Sequence, residues 1–446
     1  MLQKILIANR GDIAIRVLRA CKELEIKTVA VHSVVDENLM HVKLADESVC
    51  IGDNKATSSY LNMSAILSAA EITGADAIHP GVGFLSENAS FAKIVEAHGI
   101  TFIGPSSEHL TMMGDKITAK HTMESFGVPT VNGSAKVLES LAQALEIAEK
   151  IGYPVILKAS SGGGGKGMKV AWNDEYLKSN FNLAKSEAKA NFGDDRVYLE
   201  KYLTNPRHIE FQVIADKFGN VVSLGERECS IQRNNQKLME EAPSTAITQE
   251  ERETMGKLVT NALRQIGYVG VATVEFLYDN GKFYFMEVNP RLQVEHSVTE
   301  EITGIDIVKE QIRIASGEKL SFRQEDIKIT GHAIEFRINA EDPKTFMPCP
   351  GTIEELYFPG GNGVRIDSHI HRGYTVPPYY DSLVAKVIIH SSERHLCLMK
   401  SAQALDELVI DGINTTADLH KNLVKHKDII NGQFDIHWLE KYIKTV

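Results

Sequence analysis

A run of four glycines between two short apolar stretches constrains this chain more than any other feature. Pro154–Ala159 before the glycines and Met168–Trp172 after them both have the composition of strands. At Gly162–Gly165 the backbone N–H groups can turn toward an anion, because no Cβ blocks its approach. Lys158 and Lys166 add positive charge on both sides. We predict a mobile phosphate-binding lid that becomes ordered with nucleotide, in preference to a flexible hairpin tip with solvated lysines.

The glycine run differs from the better-known nucleotide-binding loops. A P-loop has the form GxxxxGK followed by Ser or Thr and leads into a helix. Here Lys166 is followed by Gly167 and a strand-like stretch. The first turn of the chain, Ala8–Gly11, also lacks the GxGxxG spacing of dinucleotide-binding folds, so we do not expect a dinucleotide.

A second constraining feature is a hairpin that carries carboxylates. Val271–Tyr278 and Lys282–Val288 are strand-like and are joined by Asp279-Asn280-Gly281, a strong hairpin signal. A two-residue turn would direct Glu275 and Glu287 to opposite faces, whereas a three-residue loop would place both on one face. Because a shared ligand needs one face, we expect the three-residue loop, with its glycine in a left-handed bulge.

Carboxylates in apolar strands need a partner, because burial of an unpaired charge is costly. Glu287 and Asn289 are two residues apart on one strand and therefore point to the same side. Oxygen ligands combined with substrate phosphates suit Mg²⁺. We predict a metal site formed by Glu275, Glu287 and Asn289, in preference to ion pairs with nearby lysines or arginines.

Three domains are expected, in a fold that combines α/β and α+β parts. Residues 1–113 alternate strands and helices, which is typical of a doubly wound α/β domain. Residues 114–330 form a mixed domain with the lid at about 131–203, and residues 331–446 form an α+β domain that opens with His332–Asn339. The predicted segments of the first domain are the strands Ile5–Ala8, Thr28–His32, Ala77–His79 and Phe102–Ile103, and the helix Ile13–Leu24.

Composition excludes several classes of function. With 48 Lys and Arg against 59 Asp and Glu, the net charge of −11 disfavours nonspecific nucleic-acid binding. The five cysteines are scattered and never form a CxxC pair, which argues against a disulfide framework and a zinc site. No signal peptide or membrane span is visible. We expect a cytoplasmic protein with no nucleic-acid or membrane partner.

An ordered set of motifs over nearly the whole chain resembles the biotin carboxylase family of ATP-grasp enzymes. The glycine run alone would be weak evidence, whereas the collinear set is specific. The matching stretches are Ile7–Gly11, His79–Asn88, Met113–Lys116, Lys158–Met168, Gln232–Lys237, Met286–His296 and Gly373–Ser382.

This resemblance implies a central ATP-grasp fold and a two-step reaction. Bicarbonate attacks the γ-phosphate of ATP, held with Mg²⁺ or Mn²⁺, and gives carboxyphosphate. Carboxyphosphate breaks down to phosphate and CO₂, which the ureido nitrogen of biotin captures. The biotin would be attached to a separate biotin carboxyl carrier protein, and separate carboxyltransferase subunits would complete an acetyl-CoA carboxylase. The family is commonly dimeric, so a homodimer is expected.

The resemblance also implies roles for individual residues. Nucleotide contacts fall on Lys116, Lys158, Gly164, Gly165, Lys166, Gly167, Glu200, Lys201, Leu203, His208, Gln232, Asn235, Glu275 and Glu287. Bicarbonate would be held by Lys237, Arg291, Gln293, Val294 and Glu295. Glu295 would be the general base, because bicarbonate is a weak nucleophile that benefits from losing its proton. Arg337 would stabilise the biotin enolate, and Lys237 and Arg291 would assist catalysis.

Two departures from the family pattern are expected to alter affinity without abolishing catalysis. The family usually has Tyr where this chain has Val82, and Arg-Arg followed by His or a similar residue where it has Arg233-Asn234-Asn235. These departures keep a catalytically silent nucleotide-binding subunit open as an alternative. A second alternative is another ATP-grasp ligase, similar to carbamoyl phosphate synthetase.

Overall fold

The computed structural model describes residues 2–134, 136–160 and 168–445. The predicted ordering of Gly162–Gly165 concerns residues outside these ranges. The nucleotide contacts predicted for Gly164, Gly165, Lys166 and Gly167 also lie outside them.

The first part of the described chain forms a five-stranded parallel sheet with helices on both faces. The strands are β1 (Lys4–Ile7), β2 (Lys27–Ser33), β3 (Glu47–Gly52), β4 (Ala77–His79) and β5 (Thr101–Phe102). The helices are α1 (Gly11–Glu23), α2 (Met40–Leu44), α3 (Met63–Thr73), α4 (Ala89–Ala97) and α5 (Ser107–Gly114), with short 3₁₀ turns at Val34–Asp36 and Ala56–Ser58. The sheet order is β3-β2-β1-β4-β5.

Alternation along β1 explains the two helical layers. Ile5 and Ile7 pack in a core with α1, whereas Leu6 and Ala8 pack in a second core with α3 and α4. The predicted doubly wound domain is therefore confirmed. Strand β3 was not predicted, because it is an edge strand with mostly exposed side chains and no continuous apolar run.

A small antiparallel sheet follows. After α6 (Lys116–Ser125) and α7 (Leu141–Ile151) come β6 (Val155–Ala159), β7 (Lys169–Ala171), α8 (Asp174–Phe192) and β8 (Val197–Lys201). The sheet order is β7-β6-β8, and α7 and α8 pack against it. The two strands predicted at either end of the glycine run are thus present and pair with each other, Val155 opposite Ala171.

The remaining elements build the largest sheet and its covering helices. They are β9 (Arg207–Ala215), β10 (Val221–Arg233), β11 (Gln236–Ala242), α9 (Gln249–Gln265), β12 (Gly270–Asp279), β13 (Lys282–Asn289), α10 (His296–Thr303), α11 (Ile307–Ala315), a 3₁₀ turn at Gln324–Asp326, β14 (His332–Asn339), β15 (Gly351–Thr352), β16 (Glu355–Tyr357), β17 (Val364–Ser368), β18 (Thr375–Val376), β19 (Leu383–Ser391), α12 (Arg394–Glu407), β20 (Val409–Asp411), α13 (Ala417–Leu423), α14 (Lys427–Ile430) and α15 (Trp438–Ile443).

Eight of these strands form one antiparallel sheet in the order β13-β12-β9-β10-β11-β14-β19-β17. Strand β11 pairs directly with β14, with Met239 opposite Phe336, so the sheet continues past residue 330. Two small ribbons, β15-β18 and β16-β20, flank it. As predicted for β14, Ile334, Phe336 and Ile338 enter a hydrophobic core, while Arg337 lies on the other face. Side chains from distant parts of the sequence therefore meet on one surface of this sheet.

Within the described residues, each helix is too short or too polar to cross a lipid bilayer.

Candidate functional site

A cavity of about 740 Å³ opens between the large sheet and the small β7-β6-β8 sheet. Sixteen of the residues predicted for the site line it: Lys116, Lys158, Lys201, Leu203, His208, Gln232, Asn235, Lys237, Glu275, Glu287, Asn289, Arg291, Gln293, Val294, Glu295 and Arg337. Residues as far apart as Lys116 and Arg337 therefore share one cavity.

The carboxylate hairpin reaches the predicted geometry by a different route. The turn between β12 and β13 contains two residues, Asn280 and Gly281, both with positive φ (50° and 74°). The predicted three-residue loop is therefore wrong. The pairing shifts by one residue between Phe276 and Glu275, so that Glu275 lies directly opposite Glu287. A β-bulge at Met286 absorbs the extra residue and puts both carboxylates on one face.

Each of these carboxylates has cationic or polar partners. Glu275 accepts a hydrogen bond from Asn289 Nδ2 at 2.9 Å, and His208 Nε2 lies 3.2 Å from its other oxygen. Burial opposes ionisation of Glu275, but Lys237 and His208 hold its pKa well below the usual range. Glu287 pairs with Lys116 at 2.7 Å.

The donor set fits a hard divalent cation. Two carboxylates from Glu275 and Glu287 lie opposite each other, and the amide oxygen of Asn289 follows on the same strand. Oxygen ligands of this kind, completed by phosphate oxygens, suit Mg²⁺. His208 Nε2 is buried beside Glu275 Oε2, so it can donate to an anion brought by the ligand once a cation takes that carboxylate oxygen.

Lys237 is a partly buried cation at the centre of the site. Its ammonium group donates to Glu210 at 2.5 Å, to Glu295 at 2.6 Å and to Glu275 at 3.0 Å. Burial opposes its charge, yet the three carboxylates raise the pKa of Lys237 well above its usual range. Lys237 therefore joins Glu275, one of the predicted metal ligands, to Glu295.

Both oxygens of the Glu295 carboxylate accept hydrogen bonds. Lys237 donates to one, and Arg337 Nη2 donates to the other at 2.8 Å. Burial opposes ionisation, but these two cations hold the pKa of Glu295 well below its usual range. Arg337 is also bound by Glu240, whose Oε1 accepts from Arg337 Nε at 2.6 Å. Glu295 can accept a proton efficiently only after a ligand draws one of the cations away.

Arg291 lines the cavity beside the proposed metal ligands. Its Nη2 donates to Asn289 Oδ1 at 3.0 Å, and its Nε lies 3.1 Å from Glu87 on the loop after β4. A guanidinium held from both sides presents a planar set of donors, which matches a planar oxyanion.

Glu200 is the predicted residue that the structure moves out of the cavity lining. Its buried carboxylate accepts from Lys158 and from Lys120, each at 2.7 Å. The side chain therefore orients Lys158 and is not part of the cavity lining. The neighbouring Lys201 directs its ammonium group to the carbonyl of Tyr153 at 2.7 Å.

The sequence analysis did not predict the buried residues that orient the side chains of the site. The guanidinium of Arg227 is fully buried and donates to Glu210 at 2.6 Å and to Gln293 at 2.7 Å. Three further acceptors complete its coordination: Gln212, Thr273 and Thr299. The sequence signal that could have identified such residues is the alternation in β9, where polar side chains including Glu210 are interleaved with apolar ones.

The two departures from the family pattern both line the cavity. Asn234 and Asn235 form the turn between β10 and β11, with φ of 50° and 62°. Asn tolerates the left-handed region better than most residues, so this pair suits a tight hairpin turn. Val82 lies on the loop after β4, where its carbonyl accepts from Asn9 Nδ2 at 2.8 Å.

Comparison with known families divides the chain into three matches. Residues 1–110 match the family "Biotin carboxylase, N-terminal domain", and residues 335–441 match "Biotin carboxylase C-terminal domain". Residues 115–323 match "Carbamoyl-phosphate synthase L chain, ATP binding domain".

Individual proteins match over nearly the full length. A biotin carboxylase of Pseudomonas aeruginosa is 58% identical over 99% of this chain and 98% of its own. The biotin carboxylase domain dimer of Hydrogenobacter thermophilus 2-oxoglutarate carboxylase, with MgADP, ADP and bicarbonate, has a TM-score of 0.96 at 51% identity and covers 99% and 98% of the two chains. A β-γ-ATP complex of Campylobacter jejuni biotin carboxylase has a TM-score of 0.97 at 48% identity, with 99% of each chain covered.

Proposed function

Because the chain belongs to the biotin carboxylase family, we propose that its cavity carries out the ATP- and bicarbonate-dependent carboxylation of biotin. The chain is an ATP-dependent ligase. The observation that carries the proposal is the position of Glu295, a buried carboxylate bound by both Lys237 and Arg337. Glu295 therefore connects two parts of the cavity: the part with the proposed metal ligands and the part with Arg337.

The nucleotide is assigned to the side of the cavity nearest the small sheet. Lys116 and Lys158 line it there and supply charge for the phosphates, supported by Glu200, which orients Lys158. Leu203 and the backbone of the segment from Glu200 to Leu203 would contact adenine. The other proposed nucleotide contacts are Lys201, His208, Gln232 and Asn235, together with Gly164, Gly165, Lys166 and Gly167 of the glycine run.

A divalent cation would be held by Glu275, Glu287 and Asn289, whose oxygen donors fit Mg²⁺ and also suit Mn²⁺. The cation would neutralise charge on the transferring phosphoryl group. Lys237 and His208, which both lie against Glu275, would then be available to phosphate and bicarbonate oxygens.

The first half-reaction uses the bicarbonate side of the cavity. Arg291, Gln293, the backbone of Val294 and Lys237 would bind bicarbonate, and Glu295 would take its proton. A bicarbonate oxygen then attacks the γ-phosphorus, ADP leaves, and carboxyphosphate forms. A positioned base of this kind contributes roughly 10²–10⁴-fold to the rate.

The second half-reaction uses Arg337. Carboxyphosphate loses CO₂ by cleavage of its C–O bond, which leaves the bridging oxygen on phosphate. The ureido nitrogen of biotin gives its proton to the phosphate just released and attacks CO₂, and negative charge develops on the ureido oxygen. Arg337 carries positive charge at the cavity wall within 2.8 Å of Glu295, which places it to stabilise that oxygen.

The assembly is part of the proposal. We propose a biotin carboxyl carrier protein as the donor of biotin, separate carboxyltransferase subunits, acetyl-CoA as eventual acceptor, and a homodimer, the form named for the Hydrogenobacter domain. A cytoplasmic location is supported by five unpaired cysteines. Domain boundaries near residues 113 and 330 are supported by the end of α5 at Gly114 and the start of β14 at His332.

The alternatives identified from the sequence are less well supported. A ligase similar to carbamoyl phosphate synthetase would share the region 115–323, but the matches also cover residues 1–110 and 335–441. A silent subunit would have no need of the ionised Glu275 and Glu295, which are costly to bury.

The test is ADP release measured with bicarbonate and free biotin added separately and together. The proposal predicts that ADP release depends on bicarbonate, rises with biotin, and is accompanied by carboxybiotin. ADP release that needs neither substrate, or requires ammonia or another carboxylate, would contradict it.

A further inference from the structure

Two buried glutamates face each other behind Arg337. Glu240 on β11 and Glu335 on β14 are directly paired across the strands, and both are 0% exposed. Like charges directly opposite on neighbouring strands destabilise a sheet. Neither side chain has been given a part in binding or catalysis above.

Each of the two carboxyl groups has one oxygen that is bonded and one that is not. Oε1 of Glu240 accepts from Arg337 Nε at 2.6 Å and lies 2.5 Å from Arg337 Nη2. Oε2 of Glu335 accepts from Ser297 Oγ. The second oxygens, Glu240 Oε2 and Glu335 Oε1, are buried and have no hydrogen-bond partner among the described residues. An orphaned carboxylate oxygen is costly, whereas a proton on one group removes a charge and supplies a donor.

The cations nearest the pair are shared with carboxylates outside it. Arg337 is shared with Glu295, and Lys386 on β19 lies 3.5 Å from Glu335 but also 3.7 Å from Asp367 on β17. Each cation therefore has a competing carboxylate outside the pair. Lys237 and Arg365 bind these two carboxylates in turn, yet ionisation of both glutamates would leave Glu240 Oε2 and Glu335 Oε1 buried without a donor among the described residues.

We propose that Glu240 and Glu335 share one proton at neutral pH, and that their joint charge sets how firmly Arg337 is held back from biotin. Glu240 is then a positioning residue that acts through Arg337. The functional half of this inference rests on the proposed function, whereas the shared proton does not.

The direction of the pKa shifts agrees with this geometry. Burial, with Glu335 and Glu295 nearby, raises the pKa of Glu240 to about 8, although Arg337 opposes the shift. Burial also raises the pKa of Glu335. As pH rises through about 8, the pair goes from one negative charge to two and attracts Arg337 more strongly.

At alkaline pH, carboxybiotin formation should therefore decline more than ADP release. Carboxybiotin formation should fall by up to about tenfold per pH unit above this point, as for loss of one proton. The fall should appear in the KM for biotin, while bicarbonate-dependent ADP release, which depends on Glu295 and the metal ligands, falls less. A merely structural Glu240 would give no such split.

The experiment compares Glu240→Gln, Glu335→Gln and the control Glu241→Gln. Glu241 is the neighbouring buried carboxylate, and His332 and Arg394 overcome its burial and lower its pKa to about 2. Infrared spectra at pH 7 should show the C=O stretch of a protonated carboxyl group in the wild type and in the control. The band should be lost at alkaline pH and should be absent from both other variants, because removal of one like charge lets the remaining carboxyl group ionise.

Glu335→Gln is decisive because it leaves every contact of Arg337 in place. The alkaline limb of carboxybiotin formation should disappear in this variant as it does in Glu240→Gln. A wild-type spectrum without the band at pH 7, or a band that persists in Glu335→Gln, would overturn the shared proton. If the band behaves as expected but Glu335→Gln keeps the wild-type alkaline limb, the coupling to Arg337 is wrong. The spectrum needs no turnover, so it is independent of the proposed function.

Discussion

Glu295 and Arg337 touch each other, yet replacing each with glutamine should damage different halves of the reaction. Glu295 accepts from Lys237 and Arg337, and a glutamine there keeps the size and most of the hydrogen bonding but cannot take a proton. Arg337 bonds to Glu240 and Glu295, and a glutamine there removes the positive charge from the biotin side.

The two losses differ in size as well as in kind. Glu295→Gln should lower bicarbonate-dependent ADP release by roughly 10²–10⁴-fold, the usual contribution of a positioned base. Arg337→Gln should lower carboxybiotin formation by roughly 10²–10³-fold, as for loss of one group that stabilises a developing oxyanion. ADP release in Arg337→Gln should fall by less, so the ratio of carboxybiotin made to ATP consumed collapses.

The assay measures ADP and carboxybiotin separately in the same reaction. The KM for ATP is the control for folding, since Arg337 is outside the proposed nucleotide contacts. Arg337→Gln should still fold, because burial raises the pKa of Glu240 and its carboxyl group can take up a proton when the cation is lost. Equal loss of both products in Arg337→Gln, together with ADP release that survives in Glu295→Gln, would reverse the assigned roles.

Three further predictions concern the support of the site. Arg227→Met should lower the free energy of unfolding in urea by about 3–5 kcal/mol, because Glu210 loses a buried cation; an unchanged midpoint would contradict this. Glu275→Gln should raise the Mg²⁺ concentration for half-maximal ADP release by about 10–100-fold or more, and an unaltered Mg²⁺ curve would remove it from the metal site. Burial lowers the pKa of His41 and of His420 to about 4, so the folded state binds fewer protons than the unfolded state below pH of about 6.5. Stability should then decline from about pH 6.5 toward pH 4 by about 1.4 kcal/mol per pH unit per histidine, and a flat urea midpoint over that window would refute it.

The carboxylate hairpin shows how far the sequence could lead. The strands and the turn position were predictable, because alternation and turn signals are local, whereas the shared face of Glu275 and Glu287 followed only from the requirement that both hold one ligand. The loop length was not, because Asn280 and Gly281 both accept positive φ and favour the tighter turn. A bulge at Met286 brings Glu275 opposite Glu287, and no feature of the local sequence predicts that bulge.

The buried charges show why the rest was out of reach. Glu240 and Glu335 are 95 residues apart (335 − 240 = 95), and they meet only because β11 pairs with β14 across the sheet. Likewise Arg227 reaches Gln293 from a strand 66 residues earlier in the chain. The family resemblance identified the residues that face the ligand, but the partners that orient them depend on long-range pairing.

The fate of the bicarbonate oxygens tests the central claim most directly. If a bicarbonate oxygen attacks the γ-phosphorus, ¹⁸O-labelled bicarbonate should deliver one labelled oxygen to phosphate, and carboxybiotin should carry the other two. The label in phosphate should appear in proportion to ADP. Unlabelled phosphate released in step with ADP would mean that water attacks ATP, and the account of Glu295 as the base for bicarbonate would be contradicted.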